Sequence, residues 1–325
     1  MLGCPSIYPL LNIFRINSIF NNGNPAYKTI VSDVVFITLI GKSCGEVVTV
    51  MKKLLIIKTG DTFPVIKGQF GDFEEMIRTA VDLKSEEVVV APVYKGIEVL
   101  PTLENIGAII ITGSHSMVTD REEWSEQLKV WLQQIVHFQI PTLGICYGHQ
   151  ILAEAFGGKV DDHPKGIEIG TTTISFTEAG REDTLFGCLS PVLYRSIKGS
   201  NQGINEIISG IVGHVTHSQT VVKLPKQAVV LAKNDFEQHH AFKLNHMYGV
   251  QFHPEFTADI IHAYIDEQRA QLEARGLCVD MIHKTVVDNE YGKQLLQQFI
   301  WHAGLKKEIP KVPSSASNGI FTIHE

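Results

Sequence analysis

The chain has 325 residues, 44% of them hydrophobic and 19% charged, with a formal net charge of −7; by length it holds either two domains or one α/β domain with appendages. The acidic balance, with no cluster of Lys or Arg, argues against a nucleic-acid-binding surface and fits small polar substrates. Five cysteines (Cys4, Cys44, Cys146, Cys188, Cys278) stand far apart with no C-x-x-C pair, which speaks against a disulfide framework or a zinc site and makes a reducing cytoplasm the expected compartment.

Residues 1–50 do not match the rest. No basic stretch precedes an apolar core, no cleavage site follows, and the apolar run Val31 to Ile40 is interrupted by Ser32 and Asp33 and is too short to span a bilayer. The expectation is a poorly ordered N-terminal extension without membrane contact, with Met51 reading as a native start; a targeting or docking segment is the alternative. From Lys53 on, short apolar runs alternate with amphipathic stretches, the signature of a parallel sheet covered on both faces. Strands are expected at Leu54 to Ile57, Val88 to Ala91, Ala108 to Ile111 and Thr142 to Ile145, with helices at Phe73 to Leu83 and Glu122 to Val136. That order predicts an α/β fold with a doubly wound, mostly parallel sheet and helices on both faces, whose site sits at the carboxyl ends of the strands.

Alternation over Lys159 to Thr177 suggests strands of a second, antiparallel portion. Arg181 to Gly213 reads as an insertion with a helix-like Ile204 to Ile208. Ala258 to Arg275 and Gly292 to His302 read as helices, and 305–325 as a disordered tail beyond a domain spanning 51–304. His239, His240, His246 and His283 have no metal spacing and read as surface or packing residues. Asp72 is expected to cap the helix that follows it.

The most informative stretch is Ile140 to Gly158. Gly144 and Gly148 lie two positions either side of Cys146, the pattern of a strand-to-helix elbow that lifts a nucleophile clear of the sheet. A Cβ at either glycine would collide with the turn, and the helix that follows aims its unpaired N–H groups at the sulfur, favouring a thiolate. Cys146 is thus a candidate nucleophile, or else a small apolar residue closing a buried strand. Gly249 to Phe256 supplies the context: a short strand runs into His253, Pro254 and Glu255. A Cys/His/acid set is then complete, with imidazole as proton carrier and carboxylate as its orienter.

Together G-I-C-Y-G-H-Q-I-L-A and G-V-Q-F-H-P-E resemble the two most specific motifs of the class I (triad) glutamine amidotransferases, with a flavodoxin-like fold. The resemblance covers roughly Lys52 to Gly304 and is closest to the stand-alone GMP synthase-like branch. It implies a glutaminase site with Cys146 as nucleophile, His253 as base and Glu255 as orienter, working through a γ-glutamyl thioester and needing no metal or cofactor. By position, Gly113 and Tyr147 inherit the backbone donors of an oxyanion hole, although Gly113-Ser114-His115 departs from the family's usual loop. Gln150 resembles the family's glutamine-binding Gln, and His217, Ser218 and Gln219 stand where the family has a substrate-holding Ser-His-Gly-Asp segment. Ser-Gln in place of Gly-Asp removes a carboxylate and bears on which γ-glutamyl compound is accepted. Three readings follow: a glutaminase whose ammonia goes to a separate synthetase subunit, a γ-glutamyl peptide hydrolase with the same triad, and an idle binding module on the same fold. Neither a pyrophosphatase loop nor a Walker A loop occurs in the chain, so ATP-dependent use of ammonia calls for a partner.

Overall fold

The computed structural model describes residues 51–189, 192–196 and 205–308. The expected N-terminal extension lies outside the described residues, as does the expected tail from 309 on. In chain order the first half comprises β1 (Lys53–Lys58), α1 (Pro64–Phe70), α2 (Phe73–Val81), β2 (Val88–Pro92), β3 (Ile106–Ile111), α3 (Glu123–Ile135), β4 (Thr142–Ile145) and α4 (Tyr147–Ala155). The second half comprises β5 (Lys159–Asp162), β6 (Glu168–Phe176), α5 (Glu178–Glu182), β7 (Val192–Ser196), β8 (Asn205–His217), β9 (Gln219–Lys223), β10 (Val229–Lys233), β11 (Ala241–Leu244), β12 (Met247–Val250), α6 (Ala258–Glu267), α7 (Arg269–Ala274), α8 (Val279–Thr285) and α9 (Tyr291–His302).

The described residues form one large sheet in the order β2-β1-β3-β4-β12-β11-β10-β6-β8-β7, and β5 pairs with β9 beside it. From β2 to β12 the neighbours run parallel, and from β12 outward they run antiparallel. The parallel half is the doubly wound sheet expected from the alternation of apolar runs and amphipathic helices. Its strands are continuous apolar runs because both faces are covered. Leu54 and Ile56 of β1 and Ala108 and Ile110 of β3 face α2 and α9, whereas Leu55, Ile57, Ile109 and Ile111 face α3 and α4. Each such buried Leu or Ile stabilises the fold by about 1.5–3 kcal/mol.

Register places the site. Ile57 of β1 lies beside Ile111 of β3, Ile111 beside Gly144 of β4, and Ile145 beside Val250 of β12. The segments leaving these strands, from Thr59, Thr112, Cys146 and Gln251, therefore emerge in one row at the carboxyl edge of the sheet, where an open α/β sheet holds its ligands.

Asp72 caps α2 as expected, accepting from Phe73 N–H at 2.9 Å, while Glu75 returns to the Asp72 N–H at 2.6 Å. Beyond the cap, the Asp72 carboxylate forms a buried ion pair with Lys58 (2.7 Å) and a second pair with the half-exposed Lys67 (2.9 Å), and Lys58 also reaches Asp61 and Glu74.

Two local expectations fail. Of the segment expected to be helix-like, residues 205–208 are strand: β8 starts at Asn205 and pairs there with β7, nine to fifteen positions earlier, and from Gly210 on with β6, so cross-strand pairing overrides the helix-like spacing. Ala258 to Arg275 is not one helix but two, because Gln268 leaves helical geometry (φ −95°, ψ 5°) and its amide donates to Thr216 Oγ1 and to Tyr264 C=O. Among the described residues no helix is long and apolar enough to cross a membrane.

Candidate active site

Cys146 occupies the single residue between β4 and α4, with φ 50° and ψ −99°. Positive φ costs a side-chain-bearing residue roughly 1–3 kcal/mol and persists only where packing imposes it. The packing is visible at the flanking glycines: a Cβ on Gly144 would stand 2.3 Å from Gly148 O, and one on Gly148 would stand 2.4 Å from Ile111 O. Helix and strands are pressed together as closely as backbone allows, which forces the chain through the strained turn. The Cys146 N–H donates to Val250 O at 2.8 Å, tying the elbow to β12, and the sulfur lies 3.9 Å from Thr216 O.

His253 and Glu255 follow the end of β12. His253 N–H donates to His214 O at 2.8 Å, and its ring stacks on Phe256 at 4.2 Å with Phe73 beyond. Nδ1 lies 2.9 Å from Glu255 Oε1, so the carboxylate accepts and Nδ1 carries the proton. Nε2 is buried without a hydrogen-bond partner inside the protein. Burial by itself drives an imidazole pKa down; here the Glu255 carboxylate and the Cys146 sulfur outweigh it and raise the pKa to about 10. Both neighbours thus favour the charged form of the ring.

Gly113 closes the other side of this pair. A Cβ there would meet His253 Cε1 at 2.9 Å and Cys146 Cβ at 3.7 Å, so only glycine leaves room between them. Thr112 C=O accepts from Gly148 N–H at 3.2 Å, and a planar peptide then turns the Gly113 N–H to the opposite side. The hydroxyls of Thr59 and Thr112 lie 2.9 Å from Gly113 C=O and fix the next peptide. Tyr147 opens α4; its side chain is packing, buried against Trp124 with its hydroxyl 2.6 Å from Ser125 Oγ. His149 is buried too, against Phe242 and Gly249, and burial holds its pKa well below the usual range.

Gln150, His217, Ser218 and Gln219 all line one cleft with Cys146 and His253. Their side chains are more committed than the sequence suggests. Gln150 donates to Gln219 C=O and Gln251 Oε1. His217 has Gln219 C=O at 3.0 Å on Nδ1 and Glu168 Oε2 at 2.9 Å on Nε2; both partners are acceptors, which requires an imidazolium. Its pKa is raised accordingly: burial opposes the charge, but Glu168 outweighs it. With both ring nitrogens occupied, the His217 ring has no hydrogen-bonding atom left to offer the cleft. Gln219 donates to Thr119 Oγ1 (2.6 Å) and Asp162 Oδ1 (3.0 Å), so the amide that replaces a carboxylate in this segment is held by a carboxylate from β5.

The cleft is about 300 Å³ in volume, and none of the described residues lining it is an Asp or Glu. One wall is aromatic, with Phe63 4.1 Å from His115 and 5.5 Å from Tyr264. Its outer end carries Gln268, Gln271 and Arg275. Sequence reasoning passed over Phe63, Tyr264, the outer end and Glu168, because each enters the site from a distant element and belongs to no local motif. Of the histidines read as surface or packing residues, His240 is buried with Nε2 3.3 Å from Glu168, and His283 stacks on His262.

Residues 69–268 match the family model for glutamine amidotransferase class-I. Among the relatives, γ-glutamyl peptidase 5 of Arabidopsis thaliana is 29% identical over 166 residues, covering 50% of this chain and 59% of that protein. A glutamine-hydrolyzing GMP synthase subunit of Saccharolobus solfataricus is 28% identical over 187 residues, covering 57% of this chain and 85% of that protein. The chain thus spans about three-fifths of the length of the peptidase. A solved glutamine amidotransferase from Thermotoga maritima shares the fold, with a TM-score of 0.59 at 18% identity over 79% of this chain and 99% of that one. Since the family model spans more than half of the chain and takes in both the elbow and the His-Pro-Glu segment, the chain belongs to the class-I glutamine amidotransferase family.

Proposed function

We propose that the cleft hydrolyses the side-chain amide of glutamine or of a related γ-glutamyl compound, with Cys146 as nucleophile, His253 as proton carrier and Glu255 as its orienter. The observation that carries the proposal is the placing of the His253 ring between Glu255, on Nδ1, and Cys146, beside a glycine that leaves no room for a side chain. The Cys146 thiolate attacks the γ-carbonyl carbon, and the resulting oxyanion is met by the N–H groups of Gly113 and Tyr147. His253 delivers its Nε2 proton to the leaving nitrogen as the C–N bond breaks. Water then attacks the thioester, returns a proton to His253 and releases glutamate.

Which γ-glutamyl amide is taken separates two versions. Hydrolysis of glutamine is the activity named for the GMP synthase relative; under that version the product is ammonia, which a separate synthetase consumes. The cleft lining without carboxylates and its aromatic wall favour the second version, a larger γ-glutamyl peptide. Idle binding is the weakest reading, because a strained cysteine and a buried, charged His–Glu pair are costly features for a module that does no chemistry. The test is turnover by the purified chain of glutamine and of γ-glutamyl dipeptides, with glutamate as readout. Cys146→Ser should abolish release of glutamate from every substrate, and undiminished release by that variant would refute the proposal.

A further inference from the structure

The cleft is not uniform along its length. Cys146, His253, Gln150 and Gln219 are buried, whereas Gln271 and Arg275 at the other end are exposed. The γ-glutamyl part of a substrate belongs at the buried end, beside the 217–219 segment. Whatever is attached to the leaving nitrogen must extend outward along the Phe63, His115 and Tyr264 wall to the mouth. Glutamine has no atoms to place there, since its leaving group is ammonia. A volume of about 300 Å³ falls at the lower end of the range for drug-sized ligands, about 300–1,000 Å³.

The mouth has a distinct charge. Arg275 follows α7 and lines the cleft, and it has no ion pair or side-chain hydrogen bond among the described residues. Arg269, at the start of α7, is met by Asp266, Glu273 and Asp280. With no Asp or Glu in the described lining, Arg275 is the permanent positive charge that an entering substrate meets. Its place is set relative to the nucleophile: Gln268, where α6 gives way to α7, donates to Thr216 Oγ1 at 3.2 Å, and Thr216 O lies 3.9 Å from the Cys146 sulfur. A guanidinium so placed matches a carboxylate in charge and in its two-pronged geometry.

We infer that Arg275 is the counter-ion for a carboxylate on the leaving group, so that the preferred substrates are γ-glutamyl amino acids or short peptides with a free carboxyl terminus. This rests on the γ-glutamyl hydrolase reading above and adds the part of the substrate beyond the scissile bond.

The experiment compares kcat/KM for γ-glutamylalanine and γ-glutamylalaninamide, which differ only in that carboxylate, with glutamine run alongside. The wild-type chain should favour the free acid about fivefold at low salt, as an exposed charge pair allows, and 1 M NaCl should narrow the ratio. In Arg275→Gln the ratio should fall to near one, and in Arg275→Glu it should invert. The same ratio in all three proteins would overturn the inference while leaving the hydrolase reading intact, as would turnover of glutamine alone. No turnover of any of the three substrates by the wild-type chain would overturn the hydrolase reading itself.

Discussion

Gly148→Ala is the sharpest perturbation of the elbow. An ideal Cβ at this position stands 2.4 Å from Ile111 O and 2.9 Å from Ile111 Cβ, both on a central strand, so α4 must retreat from β3 by about 0.6 Å merely to reach 3.0 Å. Overpacking of this kind costs about 1–3 kcal/mol, against which alanine's helix propensity returns up to about 1 kcal/mol. A net loss of about 1–2 kcal/mol corresponds to a melting temperature lower by roughly 2–8 °C in a domain of this size. The effect on turnover should be larger. The sulfur of Cys146, which caps α4, and the Tyr147 N–H both sit at the start of this helix, and a misplacement of about 1 Å at a reacting group costs on the order of 100-fold. Gly68→Ala is the control: Gly68 is exposed within α1 and nothing lies within 4 Å of its Cβ position, so the same change should raise the melting temperature slightly and leave turnover alone. Thermal melts and γ-glutamyl turnover of the two variants decide the matter. If Gly148→Ala melts at or above wild type with full turnover, close packing of α4 on β3 is not what shapes the elbow.

The remaining predictions concern charge. His253→Ala should lose more activity than Glu255→Ala, because the first removes the proton carrier and the second leaves it present but misaligned; rates in the reverse order, with both variants folded, would contradict the triad. With the His253 pKa raised to about 10, the imidazolium persists through neutral pH, so kcat/KM should hold until it falls as pH rises through about 10. The stability that its charge contributes is present below the unfolded value of about 6.5 and is lost over the same rise. Glu255→Gln removes the carboxylate that supports the charge, so a pH profile should show its alkaline limb moved to lower pH. Asp72→Ala removes a helix cap and one of three carboxylates on Lys58, which keeps Asp61 and Glu74, and should lower stability by about 2–3 kcal/mol in denaturant titration. Lys67→Ala, which loses a half-exposed partner of the same carboxylate, should cost about 1 kcal/mol or less.

What the sequence determined by itself is what local chemistry encodes. Continuous apolar runs at Leu54 to Ile57 and Ala108 to Ile111 are strands because only a strand covered on both faces buries every residue, and the amphipathic Phe73 and Glu122 stretches could only be their cover. The glycines around Cys146 announced the elbow because the need for a missing Cβ is local, and His253 announced its carboxylate two residues later. Tertiary structure decided everything that depends on a distant partner. The segment from 205 to 208 became strand because β7 offered it a pairing partner, and the helix expected over 258–275 broke at Gln268, whose amide turned to Thr216. His217 was recognised by its neighbours in sequence, but its ring is charged and immobilised by Glu168, 49 residues away. Arg275 carries no motif at all and acquires meaning only where the end of α7 meets the mouth of the cleft. Backbone conformation and side-chain spacing are properties of a few adjacent residues, whereas burial, charge pairing and the lining of a cleft exist only once remote segments have packed.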